Sequence, residues 1–269
     1  MNIFENKTPD FSIGLAGDWH GDLAWAMHAI DEFEKRGIKH IFHLGDFGIW
    51  GGPDGQKYTR RINKILESKD MSIFVTLGNH ENYNLVEKHY LKNSEGLLVK
   101  NTEPNIYLFT RGFNWEWHGR LFMSFGGANS IDKMFRKKDK SWWEQEQITN
   151  SQIESLDSNL LVDVLFTHDS PFGVDMKFNH RSAGEWPKEA LAYSNESRHQ
   201  LKKVTDIVQP DLLFHGHYHM YLDETTLLET PENGEYIVRS VCLDKEYSNQ
   251  NMGQLNLETL EFQLLTSWT

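Results

Sequence analysis

The stretch FSIGLAGDWHGD, residues 11–22, decides how the rest of the chain is read. An apolar run of strand length, FSIGLAG, stops on Asp18, Trp19 and His20 before any helical pattern begins. Leu23, Met27, Ile30 and Phe33 then recur at helical spacing, which predicts a helix near 22–36 with Gly37 as its stop. Working outward, HIFHLGD (40–46) repeats the motif of an apolar run ending in a carboxylate. After Gly51-Gly52-Pro53, a second amphipathic helix near 56–68 leads to MSIFVTLGN, 71–79. Strand, helix, strand, helix, strand is the pattern of a parallel sheet with covering helices. Each strand runs into polar residues at its C-terminal end, the edge where open α/β sheets bind ligands.

The middle of the chain changes character. FNWEW (113–117) and RLFMSFGG (120–127) alternate around His118-Gly119 and predict an antiparallel hairpin. A helix is expected over 142–156, a strand at DVLFTHD (163–169), a helix near 195–208 and a strand at DLLFHGH (211–217). Turn signals at 231–234 and 258–260 separate the β-runs that follow. With no internal repeat and no low-complexity linker, residues 1–269 read as one α/β domain.

Composition narrows the function classes. Against 39 acidic residues stand 27 Lys and Arg, a formal net charge of −12 that repels polyanions, so duplex nucleic acid is not the expected partner. The single cysteine, Cys242, excludes an internal disulfide and fits a reducing compartment. The first residues carry no secretory pattern, and no run reaches the ~18 apolar residues of a membrane span. The expectation is a cytoplasmic protein without a membrane partner, and nothing in the sequence sets its oligomeric state.

Five short pieces share one context, the end of an apolar strand: Asp18-Trp19-His20, Gly45-Asp46, Gly78-Asn79-His80-Glu81, Thr167-His168-Asp169 and Gly216-His217-Tyr218-His219. Carboxylate, imidazole and amide together suit Mn²⁺, Fe²⁺/Fe³⁺ or Zn²⁺, whereas carboxylates alone would suit Mg²⁺ or Ca²⁺. Each piece alone is a weak signal, and their joint occurrence in this order is a strong one. The glycines in front of the ligands, Gly17, Gly45, Gly78 and Gly216, read as points where the backbone turns sharply.

In these motifs, DxH, GD, GNH[DE], H and GHxH, the chain resembles the calcineurin-like metallophosphoesterases over residues 12–219, and in particular their small bacterial and phage members. The resemblance implies a four-layer αββα sandwich of two mixed sheets flanked by helices. It also implies two metal ions, Mn²⁺ first with Fe or Zn as alternatives. One would be held by Asp18, His20 and His219, the other by Asn79, His168 and His217, with Asp46 bridging. Two cations about 3.5–4 Å apart offset the charge of a phosphate ester and acidify a bridging water, whose hydroxide then attacks phosphorus in line. His80, beside Asn79, is the expected general acid, a position that in the family either protonates the leaving group or binds phosphate. Glu81, Asp169 and His215 are expected to orient ligands from behind, although Glu81 reads equally as a helix N-terminal carboxylate and Asp22 as the start of the first helix. His43 is expected to be a hydrogen-bonded interior group, and His28, His40, His89, His118 and His199 surface or structural residues.

The substrate is less legible. Ser/Thr protein phosphatases of this superfamily carry GDxVDRG, whose Asp and Arg are replaced here by Ile49 and Trp50 in GDFGIWG. Loss of that cationic clamp for a dianion favours a monoanionic diester with a small or nucleotide-like group; the alternative is a phosphomonoesterase or protein phosphatase. A nuclease and a non-catalytic scaffold are the remaining rivals. The segment NSIDKMFRKKDKSWW (129–143) could restore a clamp, with Arg136 or Lys133 on the phosphate and Trp142 or Trp143 stacked on a base. It reads equally as a solvated charged loop with its tryptophans in the core. His180-Arg181 is a further candidate pair at the substrate rim.

Overall fold

The computed structural model describes residues 11–177, 186–232 and 234–266. The three leading apolar runs form β1 (Ser12–Ala16), β2 (His40–His43) and β3 (Ser72–Val75), separated by α1 (Leu23–Lys35) and α2 (Gly52–Ser68). Asp22 caps α1, its carboxylate accepting from the Trp25 backbone N–H at 2.8 Å. Helix α2 starts earlier than its apolar spacing indicates, because Gly51 serves as N-cap and Pro53 is pre-set for the first turn.

β1, β2, β3 and β6 (Glu103–Leu108) pair in parallel. Around them β4 (Leu91–Lys92) and β5 (Leu98–Lys100) extend one side of the sheet, and β13 (Met252–Asn256) and β14 (Phe262–Leu264) the other. The second sheet has β8 (Arg120–Phe125), β9 (Val164–Thr167), β10 (Leu212–His215) and β12 (Glu235–Cys242) in parallel. Its edges are β7 (Phe113–Trp117), which makes the expected hairpin with β8, and β11 (Leu222–Glu229), which pairs with β12. In the β7–β8 turn His118 and Gly119 both have positive φ, 50° and 71°, the geometry that joins twisted strands through two residues.

Three apolar clusters define the layers. Ile13, Leu15, Phe42, Phe74, Phe122, Phe166 and Phe214 fill the space between the sheets. Trp25, Ala29 and Phe33 of α1 with Ile62 and Leu66 of α2 pack on the outer face of the first sheet. Leu201, Val204 and Val208 of α5 (Lys188–Val208), with Ile153 of α4 (Asn150–Glu154), pack on the outer face of the second. The architecture is the four-layer αββα sandwich, and β1, β2 and β3 are buried on both faces because a helix layer and a sheet cover them. Among the described residues, no helix is long and apolar enough to cross a membrane.

Two sequence expectations change. The helix expected over 142–156 is a 3₁₀ turn, Glu144–Glu146, followed by the short α4, whose capping box at Thr149 and Gln152 restarts the chain after Trp142 and Trp143 are buried. Helix α5 begins at Lys188 rather than near 195, directly behind Pro187. A further helix, α3 (Tyr83–His89), follows the third polar cluster, with Asn82 as its cap.

Phe42 stands in the middle of the inter-sheet layer, its ring centroid 5.1 to 5.7 Å from those of Phe74, Phe109, Trp115, Trp117 and Phe166. Phe42→Ala should therefore destabilise the protein by about 3–5 kcal/mol in urea unfolding, by lost burial plus a cavity that rigid rings cannot refill. Phe135→Ala removes a ring that is 76% exposed and should change stability by less than about 0.5 kcal/mol.

Candidate metal centre

The parallel strands of both sheets end at one edge, and their next residues meet there. The loop after β1 is stitched to the loop after β2 by backbone bonds from Trp19 and His20 N–H to the Asp46 carbonyl, 3.2 and 2.8 Å. The loop after β3 is tied to the same aspartate, since His80 N–H donates to Asp46 Oδ1 at 2.8 Å. From the second sheet, Gly216 N–H donates to the His168 carbonyl at 3.2 Å and His217 N–H to Asp18 Oδ1 at 3.1 Å. Ligand motifs far apart in sequence are thus fixed to one another through their backbones.

The functional atoms converge accordingly. Asp46 turns Oδ1 to His168 Nε2 at 3.4 Å and Oδ2 to His20 Nε2 at 3.5 Å and His80 Nε2 at 3.9 Å. Asp18 Oδ2 lies 3.3 Å from His219 Nε2 and 3.9 Å from His20 Nε2. Asn79 Oδ1 is 2.9 Å from His168 Nε2, and the His168 and His217 ring centroids are 5.0 Å apart. Candidate ligand atoms in three triads, Asp18/His20/His219, His20/Asp46/His80 and Asp18/Asp46/His168, lie within 4.8 Å of one another. The orienting partners that sequence could not supply are now visible. His20 Nδ1 meets Glu246 Oε2 at 2.8 Å and His168 Nδ1 meets the Leu44 carbonyl at 2.7 Å, which leaves both Nε2 atoms facing inward.

Charge explains the protonation of this cluster. Burial works against ionising Asp46, but the His168 and His80 imidazoles outweigh it and hold the carboxyl well below its usual range. Burial likewise opposes the His20 imidazolium, yet contacts with Asp46 and Glu246 raise it to about 10. His168 is also raised to about 10 against its burial, by Asp46 and Asp18. His217, with burial dominant, falls to about 4, and burial together with the Arg136 cation lowers His80.

Glu81 is fully buried and precedes the cap of α3, so the helix N-terminal reading does not hold. Its carboxylate instead accepts from Gly78 N–H at 2.6 Å, Gly48 N–H at 3.2 Å and Asp46 N–H at 3.3 Å, clasping two ligand loops together. Burial, with the nearby Asp46 charge, pushes it up to about 7. Asp169 accepts from Ser170 N–H and the Tyr218 hydroxyl, bracing the loop between His217 and His219. His215 is buried with Nδ1 3.2 Å from the Gly216 carbonyl, and its Nε2 has no hydrogen bond. The interior hydrogen bonds expected of His43 are absent among the described residues; its ring lies edge-on to Trp19 and burial lowers its pKa to about 3. Gly45 does turn at φ +103°, but Gly78 and Gly216 serve close approach instead. A Cβ on Gly216 would lie 2.2 Å from Asp18 Oδ1, and one on Gly78 2.3 Å from Asp46 Oδ1.

A cavity of about 650 Å³ opens beside this centre. His80, Arg136, His217 and His219 line its polar end, while Ile131, Trp186 and Leu191 line the apolar part. Arg136 reaches the site, with Nη2 2.6 Å from His80 Nε2 and Nε 2.7 Å from Asp132 Oδ1. Lys133 does not; its ammonium is sandwiched between the rings of Trp142 and Tyr193, at 4.2 and 4.0 Å. Trp142 and Trp143 are buried in the core and do not line the cavity, so the indole placed to meet a planar group is Trp186. Ile49 is buried in the outer core and Trp50 Nε1 donates to the His80 carbonyl at 3.0 Å. His180-Arg181 lies outside the described residues.

Sequence reasoning missed Glu246, Asn251 and Trp186. Asn251 is fully buried; its Oδ1 accepts from the indoles of Trp19 and Trp25 at 3.1 and 2.8 Å while its Nδ2 donates to the Asp18 carbonyl at 3.2 Å. Its only sequence signal is position, just before a strand that pairs with β1.

These residues fit a cation pair. Two buried carboxylates face several imidazoles and one amide oxygen, and among the described residues Asp18 Oδ2 is buried with only the His219 and His20 imidazoles, at 3.3 and 3.9 Å, to meet its charge.

The sequence model described as calcineurin-like phosphoesterase matches residues 11–221. No curated protein matches the chain. Among solved structures, one has a TM-score of 0.58 at 10% identity, covering 96% of this chain and 99% of its own. The structure of TT1561 of Thermus thermophilus gives 0.49 at 10% identity over 96% and 99%. That of a novel archaeal phosphodiesterase gives 0.42 at 15% identity over 94% and 97%.

Because a Cβ on Gly78 would also lie 2.6 Å from the Asp46 backbone nitrogen, Gly78→Ala should displace that carboxylate. The native protein should gain about 2.7 kcal/mol of stability from Mn²⁺ at about a hundred times Kd. Thermal unfolding of Gly78→Ala with and without Mn²⁺ should show that gain lost.

Proposed function

The chain belongs to the calcineurin-like phosphoesterase family, whose members are metal-dependent phosphoester hydrolases, and from that premise we propose that it hydrolyses a phosphodiester bearing a small or nucleotide-like group. In this reading Asp18, His20 and His219 hold one ion, Asn79, His168 and His217 hold a second, and Asp46 serves both, with Mn²⁺ the favoured metal and Fe or Zn the alternatives. When bound, the ions supply charge neutralisation of the ester and an acidified water as nucleophile.

The protein's own groups do the rest. Arg136 offers the ester a guanidinium whose charge is shared with Asp132, a match for the single negative charge of a diester. The other arginine at the cavity, Arg198, is spent on the carbonyls of Ser170, Pro171 and Val174. A guanidinium can only donate, so in the resting site His80 Nε2 accepts from it and the imidazole is neutral. An ester oxygen that takes over the Arg136 donors frees the Nε2 lone pair to take a proton from solvent, and that proton is the one passed on to the leaving oxygen.

The observation that carries the diester reading is the cavity. Ile131, Trp186 and Leu191 line it together with His80 and Arg136, and its volume of about 650 Å³ supports a substrate with an organic group on each side of the phosphorus, where a monoester brings only one.

The reading is tested by paired assays after chelation and Mn²⁺ reconstitution, with bis-p-nitrophenyl phosphate beside p-nitrophenyl phosphate. Metal-dependent diester turnover that collapses in Asn79→Ala is expected; turnover of the monoester alone would favour the phosphatase alternative, and turnover of neither the scaffold. Leaving-group dependence separates the two possible roles of His80. If it is the acid, His80→Ala should cost about 10²–10⁴-fold for a diester with an alkyl leaving group and far less for nitrophenolate, which needs no proton; an equal loss for both assigns it to phosphate binding. Arg136→Ala should raise KM for the diester more than it lowers kcat, because the guanidinium meets an anion already charged in the ground state.

A further inference from the structure

Behind Asn79 lies a run of hydrogen bonds that none of the ligand motifs contains. Asn79 Nδ2 donates to Ser130 Oγ at 2.9 Å, and Ser130 Oγ is 2.8 Å from Glu146 Oε2. Glu146 Oε1 accepts from Ser130 N–H at 2.9 Å, from Trp142 Nε1 at 2.7 Å and from the Tyr193 hydroxyl at 3.3 Å. Asn79 is 3% exposed, and Ser130 and Glu146 are fully buried, so solvent does not compete for these bonds.

The donor inventory fixes the direction of this run. Backbone and indole nitrogens can only donate, so Glu146 Oε1 is held as an acceptor, and in mildly alkaline solution, where the carboxyl that burial pushes up to about 7 is ionised, Oε2 accepts as well. With its one proton directed to Oε2, Ser130 has a lone pair but no proton left for Asn79. The amide must then present NH₂ to Ser130 and turn Oδ1 the other way, where it lies 2.9 Å from His168 Nε2. A flipped amide would bring two oxygens together with no proton between them and aim NH₂ at the ligand cluster.

We propose that Ser130 and Glu146 are positioning residues that lock the Asn79 amide with its oxygen toward the second cation. The proposal rests on the reading of Asn79 as a ligand.

The lock is itself anchored. Arg111, just beyond β6, donates to the carbonyls of Gly126, Gln145, Glu146 and Gln147 at 2.7 to 2.9 Å, which plants the 3₁₀ turn carrying Glu146 against the end of β8. Lys133 lies against both rings that donate to Glu146, so the cation expected at the phosphate buttresses the lock instead. Ser130 arrives at the same edge as the ligands because β8 is a parallel strand whose end lies beside those of β3 and β9; Gly127 N–H bonds the Leu77 carbonyl at 2.8 Å.

The test is a calorimetric Mn²⁺ titration in mildly alkaline buffer of the native protein, Asn79→Ala, Ser130→Ala and Glu146→Gln, with apo thermal unfolding as the fold control. The native protein is expected to take two ions and Asn79→Ala to lose one. Ser130→Ala should bind that ion about 10–100-fold more weakly and leave the other unchanged. Glu146→Gln, which turns an NH₂ group on a ring of donors, should do the same and carries the test should Ser130→Ala not fold. In an Asn79→Asp background both side-chain termini are oxygens, so there Ser130→Ala should cost nothing further, an outcome that a general loss of packing would not give. Native affinity for both ions in Ser130→Ala would overturn the proposal. Native affinity for both in Asn79→Ala would instead remove the assignment of Asn79 as a ligand.

Discussion

Everything at the strand ends answers to one constraint, the burial side by side of Asp18 and Asp46, 0% and 1% exposed. A buried carboxylate is tolerated when it is neutralised and hydrogen-bonded, and two of them facing one space double the demand. The protein meets part of it with backbone donors, His217 N–H to Asp18 and His80 N–H to Asp46, and part with the imidazoles of His20, His168 and His219. Against their burial, Asp46, with Glu246 at His20 and Asp18 at His168, raises those two imidazoles to about 10, so a cation taken up on their Nε2 atoms would displace a proton. Metal binding and proton release are therefore coupled at this centre.

Meeting that demand distorts the chain. His20, Asp46, His217 and His219 all have positive φ, at 42°, 54°, 71° and 51°, a region costly for any residue with a Cβ. Four of the expected ligands thus stand in strained conformations, and the backbones of His20, Asp46 and His217 are held there by bonds to a neighbouring loop. Glu81 has the same logic from beneath: one buried carboxylate satisfies three N–H groups of two loops and so ties those loops to each other.

The parts of this design that sequence revealed are those with a local signature. Apolar runs ending in Asp, Asn or His marked the strands and ligands, because strand periodicity and ligand chemistry are written within a few residues of each other. The orienting groups have no such signature. Glu246 and Asn251 lie after β12, more than two hundred residues from the His20 and Asp18 they hold, and are joined to them by sheet pairing alone. The helix expected over 142–156 failed for a related reason: Trp142, Glu146 and the carbonyls beside it are recruited by Ser130, Arg111 and the core, and those tertiary bonds override the local pattern.

The segment 129–143 shows how tertiary packing sorts charges that look alike in a sequence. Its cations suggested a clamp for the phosphate, and of these Arg136, paired with Asp132, is turned to His80, whereas Lys138 is paired with Glu144 and Lys133 is enclosed by two rings. Two of its five positive charges, Lys133 and Lys138, are thus paired away from the cavity, in a chain whose net charge is −12. A long nucleic acid needs a row of cations free to release counterions along its backbone, and its affinity scales with their number. A small anion asks for far fewer, and the cavity beside the ligand cluster brings together Arg136, Trp186 and Leu191.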